Sequence, residues 1–511
     1  MQAHLGACRT AAILSSTLVL LSARGTAETP YVGLSARGTR IEATLVAAGS
    51  DTAPTVLLLG GLNGPDESSK IVAEEARRFE MTKPGGRRFR LLAVALANPD
   101  GSPLMFPPVG VAYRENPEAH ALWRWIAIEA PDLVLIAGPE DFGMADALSR
   151  NAVAAVGQIP ARKEAAKTGI LRSVPKTIPL SPAHREIDRR RARSARQLAA
   201  ELAQYYGHDF AEPVYIPAVA LIGQLRLGNT VEVERLVAPF VDGSKNSLTR
   251  PTSPTLAGHL VFAELAQRTQ PTRDPRYLEL VRRVADLGFT ERGEMKESMP
   301  LHDEMSDSVF MGCPILAKAG ALTGERRYFD MAARHFDFMQ KLDLRPDGIY
   351  RHSPLTDAAW GRGNGFPALG LALTLSDFPK THAEFSRLLL AFQQHMAALS
   401  RFQDPEGMWR EVIDEPASYQ EFSATAMIAT AMSMGIRNGW LEARSYQPRV
   451  DRAWEAIAIR VGPDGGLINV CESTGKQKSK TDYLRRAAIL GPDPRGGAMA
   501  LLFATEIAGL R

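Results

Sequence analysis

The chain has 511 residues, with 60 basic and 57 acidic side chains and a net charge of +3. So even a balance excludes a general attraction to nucleic acid or to an anionic membrane surface. A single core stops growing near about 250–300 residues, so two domains are the expectation. Three cysteines, Cys8, Cys313 and Cys471, exclude a disulfide framework and any zinc-type cysteine spacing. A composition of 45% hydrophobic and 23% charged residues is that of a soluble globular protein.

In chain order, residues 1–28 carry a secretory-signal pattern. Arg9 supplies positive charge, an apolar run covers 11–21, and Ala23 to Ala27 offers small residues for cleavage. The run is too short to span a bilayer. The mature protein is therefore expected to be periplasmic or secreted, with no membrane attachment.

Residues 30–180 alternate strand and helix. Strands are predicted at 55–59, 89–96 and 132–136, and helices at 66–79 and 120–128. Asn98-Pro-Asp-Gly101 is a strong turn. Alternation of this kind implies a parallel sheet covered by helices. Prolines 160, 175, 179 and 182 punctuate a connector, and residues 181–209 read as linker and helix. The basic run Arg189-Arg-Arg-Ala-Arg193 within it is expected to be a solvated linker or helix face.

Beyond residue 190 helical patterns follow one another with short Gly, Pro and Asp breaks. They cover 190–206, 214–226, 229–241, 255–268, 275–289, 306–322, 326–341, 364–376, 379–400, 419–436, 446–461 and 493–509. Six helical hairpins over 210–511 suggest a closed toroid. Chemistry-bearing residue types concentrate between Met305 and Phe366, where an acid, a histidine, an aromatic and an arginine each lie beside a helix boundary.

The N-terminal portion resembles the zinc carboxypeptidase-like fold. Gly60-Gly-Leu-Asn-Gly-Pro-Asp66 stands where that family has a Gly-Gly-x-His-Gly-x-Glu loop, and Ala97-Asn-Pro-Asp-Gly101 matches its turn. Asn63 replaces the first histidine, Asp66 the glutamate, and no histidine follows Ile136. A catalytic zinc normally takes three protein ligands, so this domain is expected to be metal-free and without peptidase activity. Asn63, Asp66 and Glu67 still end a strand, a common place for a ligand.

The C-terminal three-fifths resembles the unsaturated glucuronyl and rhamnogalacturonyl hydrolases, the six-hairpin glycosidases of glycoside hydrolase families 88 and 105. The motifs that carry the resemblance occur in the family's order. They are Asp307-Ser-Val-Phe-Met-Gly-Cys-Pro314, Tyr328-Phe-Asp330, Asp347-Gly-Ile-Tyr-Arg-His352 and Trp360-Gly-Arg-Gly-Asn-Gly-Phe366. Gly407-Met-Trp-Arg-Glu-Val-Ile-Asp414, Ser418 to Met427 and Pro492-Asp-Pro-Arg-Gly-Gly-Ala498 complete the series. The fold class expected is thus multidomain, an N-terminal α/β carboxypeptidase-like domain followed by an all-α (α/α)6 barrel.

The resemblance implies a reaction. A terminal 4,5-unsaturated uronic acid, left by a polysaccharide lyase, is protonated at its vinyl ether and hydrated, and the product collapses to release the neighbouring sugar. One carboxyl group that gives and takes protons is needed, and no metal or organic cofactor. The partner is an oligosaccharide carrying a uronic acid.

Asp307 carries over as the general acid/base, although spacing alone favours a helix N-cap. Arg362 suits the substrate carboxylate or an internal ion pair. His352 and Trp360 carry over as a substrate contact and an aromatic platform, or serve as packed core. Asn364 suits a turn or cap better than a substrate contact, and capping explains Glu421 and Ser423 equally well. The family's second essential aspartate is absent, with Ser253 at the matching position and Asp242, Asp303 and His302 nearby in sequence. Phe366 and Arg495 also depart from the family's tryptophan and histidine. A hydrolase of saturated uronides on the same barrel, or a non-catalytic oligosaccharide-binding protein, are the alternatives.

Overall fold

The computed structural model describes residues 30–50, 52–268 and 274–510. The signal pattern of residues 1–28 lies outside the described residues. Among those described, no helix is long and apolar enough to cross a membrane.

The N-terminal part is built on five strands: β1 (Thr44–Val46), β2 (Thr55–Leu59), β3 (Arg90–Val94), β4 (Leu133–Ala137) and β5 (Ala161–Glu164). Their order is β1-β3-β2-β4-β5, with β1 antiparallel and the rest parallel. Side chains alternate along each strand. Val56 and Leu58 face helix α1 (Glu67–Met81), while Leu57 and Leu59 face α2 (Pro117–Glu129). This accounts for the unbroken apolar strand runs, since both faces are covered.

Six helices form the inner ring of the C-terminal part: α3 (Tyr215–Arg226), α4 (Ser253–Gly258), α5 (Ser308–Thr323), α6 (Gly361–Asp377), α7 (Phe422–Arg437) and α8 (Pro494–Ile507). Each packs on the next, and α8 packs on α3, so the ring closes. Outer helices return the chain between them, among them Arg326–Asp343, Phe385–Ser400 and Ala443–Ile459. The inner helices therefore all run the same way, and their N-termini share one end of the barrel. Small residues allow the close packing: a Cβ on Gly370 of α6 would lie 2.7 Å from Cα of Phe310 on α5.

Three features depart from the sequence reading. The helix expected at 190–206 is two, Pro182–Arg191 and Ala195–Leu202. The basic run is only half solvated. Arg190 and Arg193 are buried, and donate to the carbonyls of Ile459 and Ala155, and of Ala458 and Val461. Third, a β-hairpin, β6 (Leu467–Cys471) with β7 (Ala488–Gly491), stands where only loop was expected.

The apolar core runs without a break from the α2 face of the sheet into the barrel. Polar contacts reinforce that junction. Buried Arg124 of α2 donates to Asn469 Oδ1 at 2.6 Å and to the Ala488 carbonyl at 2.9 Å. Tyr113 stacks on Tyr419 at 4.4 Å, and Arg114 pairs with Glu472 at 2.6 Å.

Candidate active site

Asp307 immediately precedes α5, at the barrel end where the inner helices begin. Its backbone is already helical and its carboxylate makes no capping hydrogen bond. The N-cap alternative is thereby removed. The side chain is mostly buried, as are the residues that follow it, Val309, Phe310 and Met311. The loop leading into it is strained: Leu301, Asp303 and Glu304 adopt left-handed backbone with φ of 67°, 48° and 53°. Ser306 pins that loop down, donating from Oγ to the Gly363 carbonyl at 2.7 Å and from its N–H to the His352 carbonyl at 3.0 Å.

His352 is fully buried, with Nε2 at 3.3 Å from Asp307 Oδ1. Its Nδ1 lies 2.7 Å from the Tyr483 hydroxyl, which also accepts the Gln477 N–H at 3.1 Å. Burial pushes the Tyr483 hydroxyl up to about 12, so it keeps its proton and donates it to Nδ1. Donation from Tyr483 leaves the imidazole proton on Nε2, which faces Asp307 without completing a hydrogen bond to Oδ1.

Trp360 is 1% exposed and packs on His352, ring centroids 4.4 Å apart. It offers its indole N–H to Glu411 Oε1 at 3.0 Å. The Arg362 guanidinium sits 4.6 Å from the Trp360 ring. Its terminal nitrogens donate to the carbonyls of Cys471 and Glu472, each at 2.7 Å, and to Ser423 Oγ at 3.3 Å. Both Nη groups are therefore spent on the barrel wall, and only Nε lacks a partner. Ser423 passes its own proton to Glu421, which caps α7 through the Ala424 N–H and accepts the Cys471 N–H at 2.9 Å. Asp307, His352, Trp360, Arg362, Ser423 and Glu421 thus form one connected series.

Asn364 belongs to the scaffold. It exchanges two 2.8 Å hydrogen bonds with the Tyr350 backbone and donates to the Trp360 carbonyl.

Several residues here were not singled out from sequence. Tyr483 and Tyr215 come from distant segments, and Tyr215 packs edge-on against Phe310 and Phe366 at the mouth. Glu411 is buried, accepts from Trp360 and the Cys471 thiol, and burial pushes its carboxyl up to about 8. A Gly-Gly turn followed by apolar Leu467-Ile-Asn-Val-Cys471 was a usable strand signal for the wall that holds Arg362.

At the position of the missing acid, Ser253 opens α4 with a buried hydroxyl that has no partner. Asp242 and Asp303 are exposed, and His302 packs edge-on against Phe338. None of them fills the role. Cys313 and Cys471 are free and buried. Among the described residues no cluster of His, Cys, Asp or Glu is placed to hold a metal ion. In the sheet domain Asp66 caps α1, accepting from the Ser69 N–H at 3.1 Å and from Ser68.

A closed ring of six inner helices with Asp307 at their N-terminal end is the six-hairpin (α/α)6 barrel. Solved structures share the barrel. A family 105 glycoside hydrolase of C. acetobutylicum matches with a TM-score of 0.52 at 20% identity, over 61% of this chain and 99% of that one. A possible family 105 member from Salmonella enterica gives 0.52 at 23% identity, over 67% and 98%. The model of Glycosyl Hydrolase Family 88 matches residues 236–510, more than half of the chain, and the protein belongs to that family.

Among its relatives, the unsaturated rhamnogalacturonyl hydrolase YesR of Bacillus subtilis is 28% identical over 211 residues, 40% of this chain and 59% of that protein. An unsaturated 3S-rhamnoglycuronyl hydrolase of Formosa agariphila is 32% identical over 177 residues, 31% and 47%. The matches thus span about half the length of these curated relatives.

Proposed function

We propose that this protein removes a terminal 4,5-unsaturated uronic acid from lyase-generated oligosaccharides. The observation that carries this reading is the Asp307 carboxylate, buried, making no capping hydrogen bond and lying 3.3 Å from His352 Nε2. Asp307 gives its proton to C4 of the vinyl ether. One water adds at C5 and returns a proton to Asp307, so the carboxyl group is unchanged after each turnover. The C5 hemiketal then opens and the neighbouring sugar leaves with its hydroxyl. His352 steadies the carboxylate between the two proton transfers. The positive dipole ends of the inner helices point to this mouth and favour an anionic sugar there. Trp360, Arg362, Ser423 and Glu421 hold the wall against which that sugar rests.

The names of the relatives, which act on unsaturated rhamnogalacturonyl and rhamnoglycuronyl substrates, support the same substrate class. Loss of vinyl-ether absorbance on a panel of lyase products tests the reading. No loss with any of them removes it.

The sheet domain is best read as a carboxypeptidase-like unit turned into a brace. Its Gly60–Asp66 loop lies against the Asn98–Gly101 turn, with Gly64 packed on Gly101. The pattern of residues 1–28 supports export to the periplasm or beyond.

A further inference from the structure

Asp343 is the last residue of the outer helix Arg326–Asp343 and is fully buried. Neither carboxylate oxygen has a hydrogen-bond partner. Its nearest cation is Arg351, whose Nε stands 3.8 Å away, beyond hydrogen-bond reach. A carboxylate at the C-terminal end of a helix also opposes the helix dipole. A buried, unpaired acid in such a place costs stability without a structural return, and such groups concentrate at functional sites.

Its surroundings are those of the candidate active site. The Asp343 carbonyl accepts the Arg351 N–H at 3.0 Å. The next residue, His352, touches Asp307 and accepts from Ser306. The charges that Asp343 feels are those of Arg351, Asp307, Glu304 and Lys476, and the Tyr350 hydroxyl feels Asp343 in turn. Glu304 and Lys476 themselves pair at 3.5 Å across the two loops beside it. Burial first, then the negative charges of Asp307 and Glu304, push the Asp343 carboxyl up to about 8, against the opposing effects of Arg351 and Lys476.

We propose that Asp343 is a second carboxyl behind the site, a positioning residue that acts on Asp307 through the Arg351–His352 segment, and that it compensates for the acid lost where Ser253 stands. The inference rests on the function proposed above.

The test compares wild type, Asp343→Asn and Asp343→Glu on a lyase-generated unsaturated disaccharide across pH 5–9. The expected result is a tenfold or larger fall in kcat at pH 7 for Asp343→Asn, with KM within about twofold. Its alkaline limb moves at least one pH unit to the acid side, and Asp343→Glu restores that limb in part. A merely structural residue lowers activity without moving the limb, and superimposable profiles overturn the proposal.

A second readout needs no turnover. Between about pH 4 and pH 8 the folded protein holds a proton on Asp343 that the unfolded chain has released, so stability falls as pH rises through that window. Melting temperatures of wild type should fall more steeply there than those of Asp343→Asn, and Asp307→Asn should move the end of that fall to lower pH. Parallel curves overturn the proposal even if no substrate is turned over. Inactivity on every unsaturated substrate, together with the expected melting curves, would instead remove the proposed reaction and keep the carboxyl pair.

Discussion

His352 places Nε2 3.3 Å from Oδ1 of Asp307 while its Nδ1 receives the Tyr483 hydroxyl at 2.7 Å. One ring therefore stands between Asp307 and a buried tyrosine 131 residues further along the chain from the histidine.

Tyr483→Phe tests that link. The substitution removes only the hydroxyl and frees His352 to carry its proton on either nitrogen. A lost buried hydrogen bond is worth about 1 kcal/mol, and about 1.4 kcal/mol is tenfold in rate. We expect kcat to fall by about fivefold with little change in KM. Unchanged kcat would mean that the tautomer is fixed by something else.

Arg362→Lys separates two roles of the arginine. As the wall residue seen here, Arg362 bridges two carbonyls and stacks on Trp360, and lysine cannot reproduce the fork. Leaving a buried carbonyl unpaired costs about 1–3 kcal/mol. The urea midpoint should fall along with activity. A rise in KM with unchanged stability would instead mark a clamp on the substrate carboxylate.

Most of the barrel was legible in the sequence because its helices are local objects. Apolar periodicity and breaker residues place a helix such as Arg326–Asp343 to within two residues of the expected 326–341. Ordered motifs likewise bring Asp307, His352, Trp360 and Arg362 to one place. What escaped is non-local. The partners of Arg362 are carbonyls 109 and 110 residues away, on a hairpin whose pairing no short-range signal specifies. Arg190 and Arg193 look solvated by composition, yet acceptors on the barrel take them inside. Asp343 carries no motif, and its oddity is visible only once both its oxygens are seen to lack partners.

Arg124→Leu examines whether the sheet domain supports catalysis. Arg124 fastens Asn469 and Ala488, the hairpin whose end holds Arg362. Asn469 is itself in left-handed backbone at φ 68°, within the irregularity of β6. The Ala488 carbonyl loses this donor and Asn469 Oδ1 keeps only the Tyr113 hydroxyl at 3.4 Å; a buried acceptor left unpaired costs about 1–3 kcal/mol. Stability should drop and kcat should fall with it at temperatures where the protein stays folded. Loss of stability alone would confine the domain to a scaffolding part.

Glu411→Gln has a pH signature. The Glu411 carboxyl sits near 8 in the folded protein, against about 4.3 in an unfolded chain. The folded state thus holds the extra proton across that interval, and stability falls by at most about 1.4 kcal/mol per pH unit as pH rises through it. Glutamine still accepts the Trp360 N–H and has no proton to lose. The variant should lose less melting temperature than wild type between pH 6 and pH 8. An unchanged dependence would place the ionisation elsewhere.

The central claim is that Asp307 protonates a vinyl ether. Its most direct test gives wild type and Asp307→Asn a matched pair of disaccharides, one ending in an unsaturated uronic acid and one in its saturated counterpart. Absorbance of the double bond and release of the neighbouring sugar are followed together. The account predicts that wild type consumes only the unsaturated compound, with the two signals in step. Asp307→Asn should lose about 10²–10⁴-fold of that rate, the range expected for a positioned acid/base. Equal rates for wild type and variant, or sugar released from the saturated compound with the double bond of its counterpart intact, would contradict it.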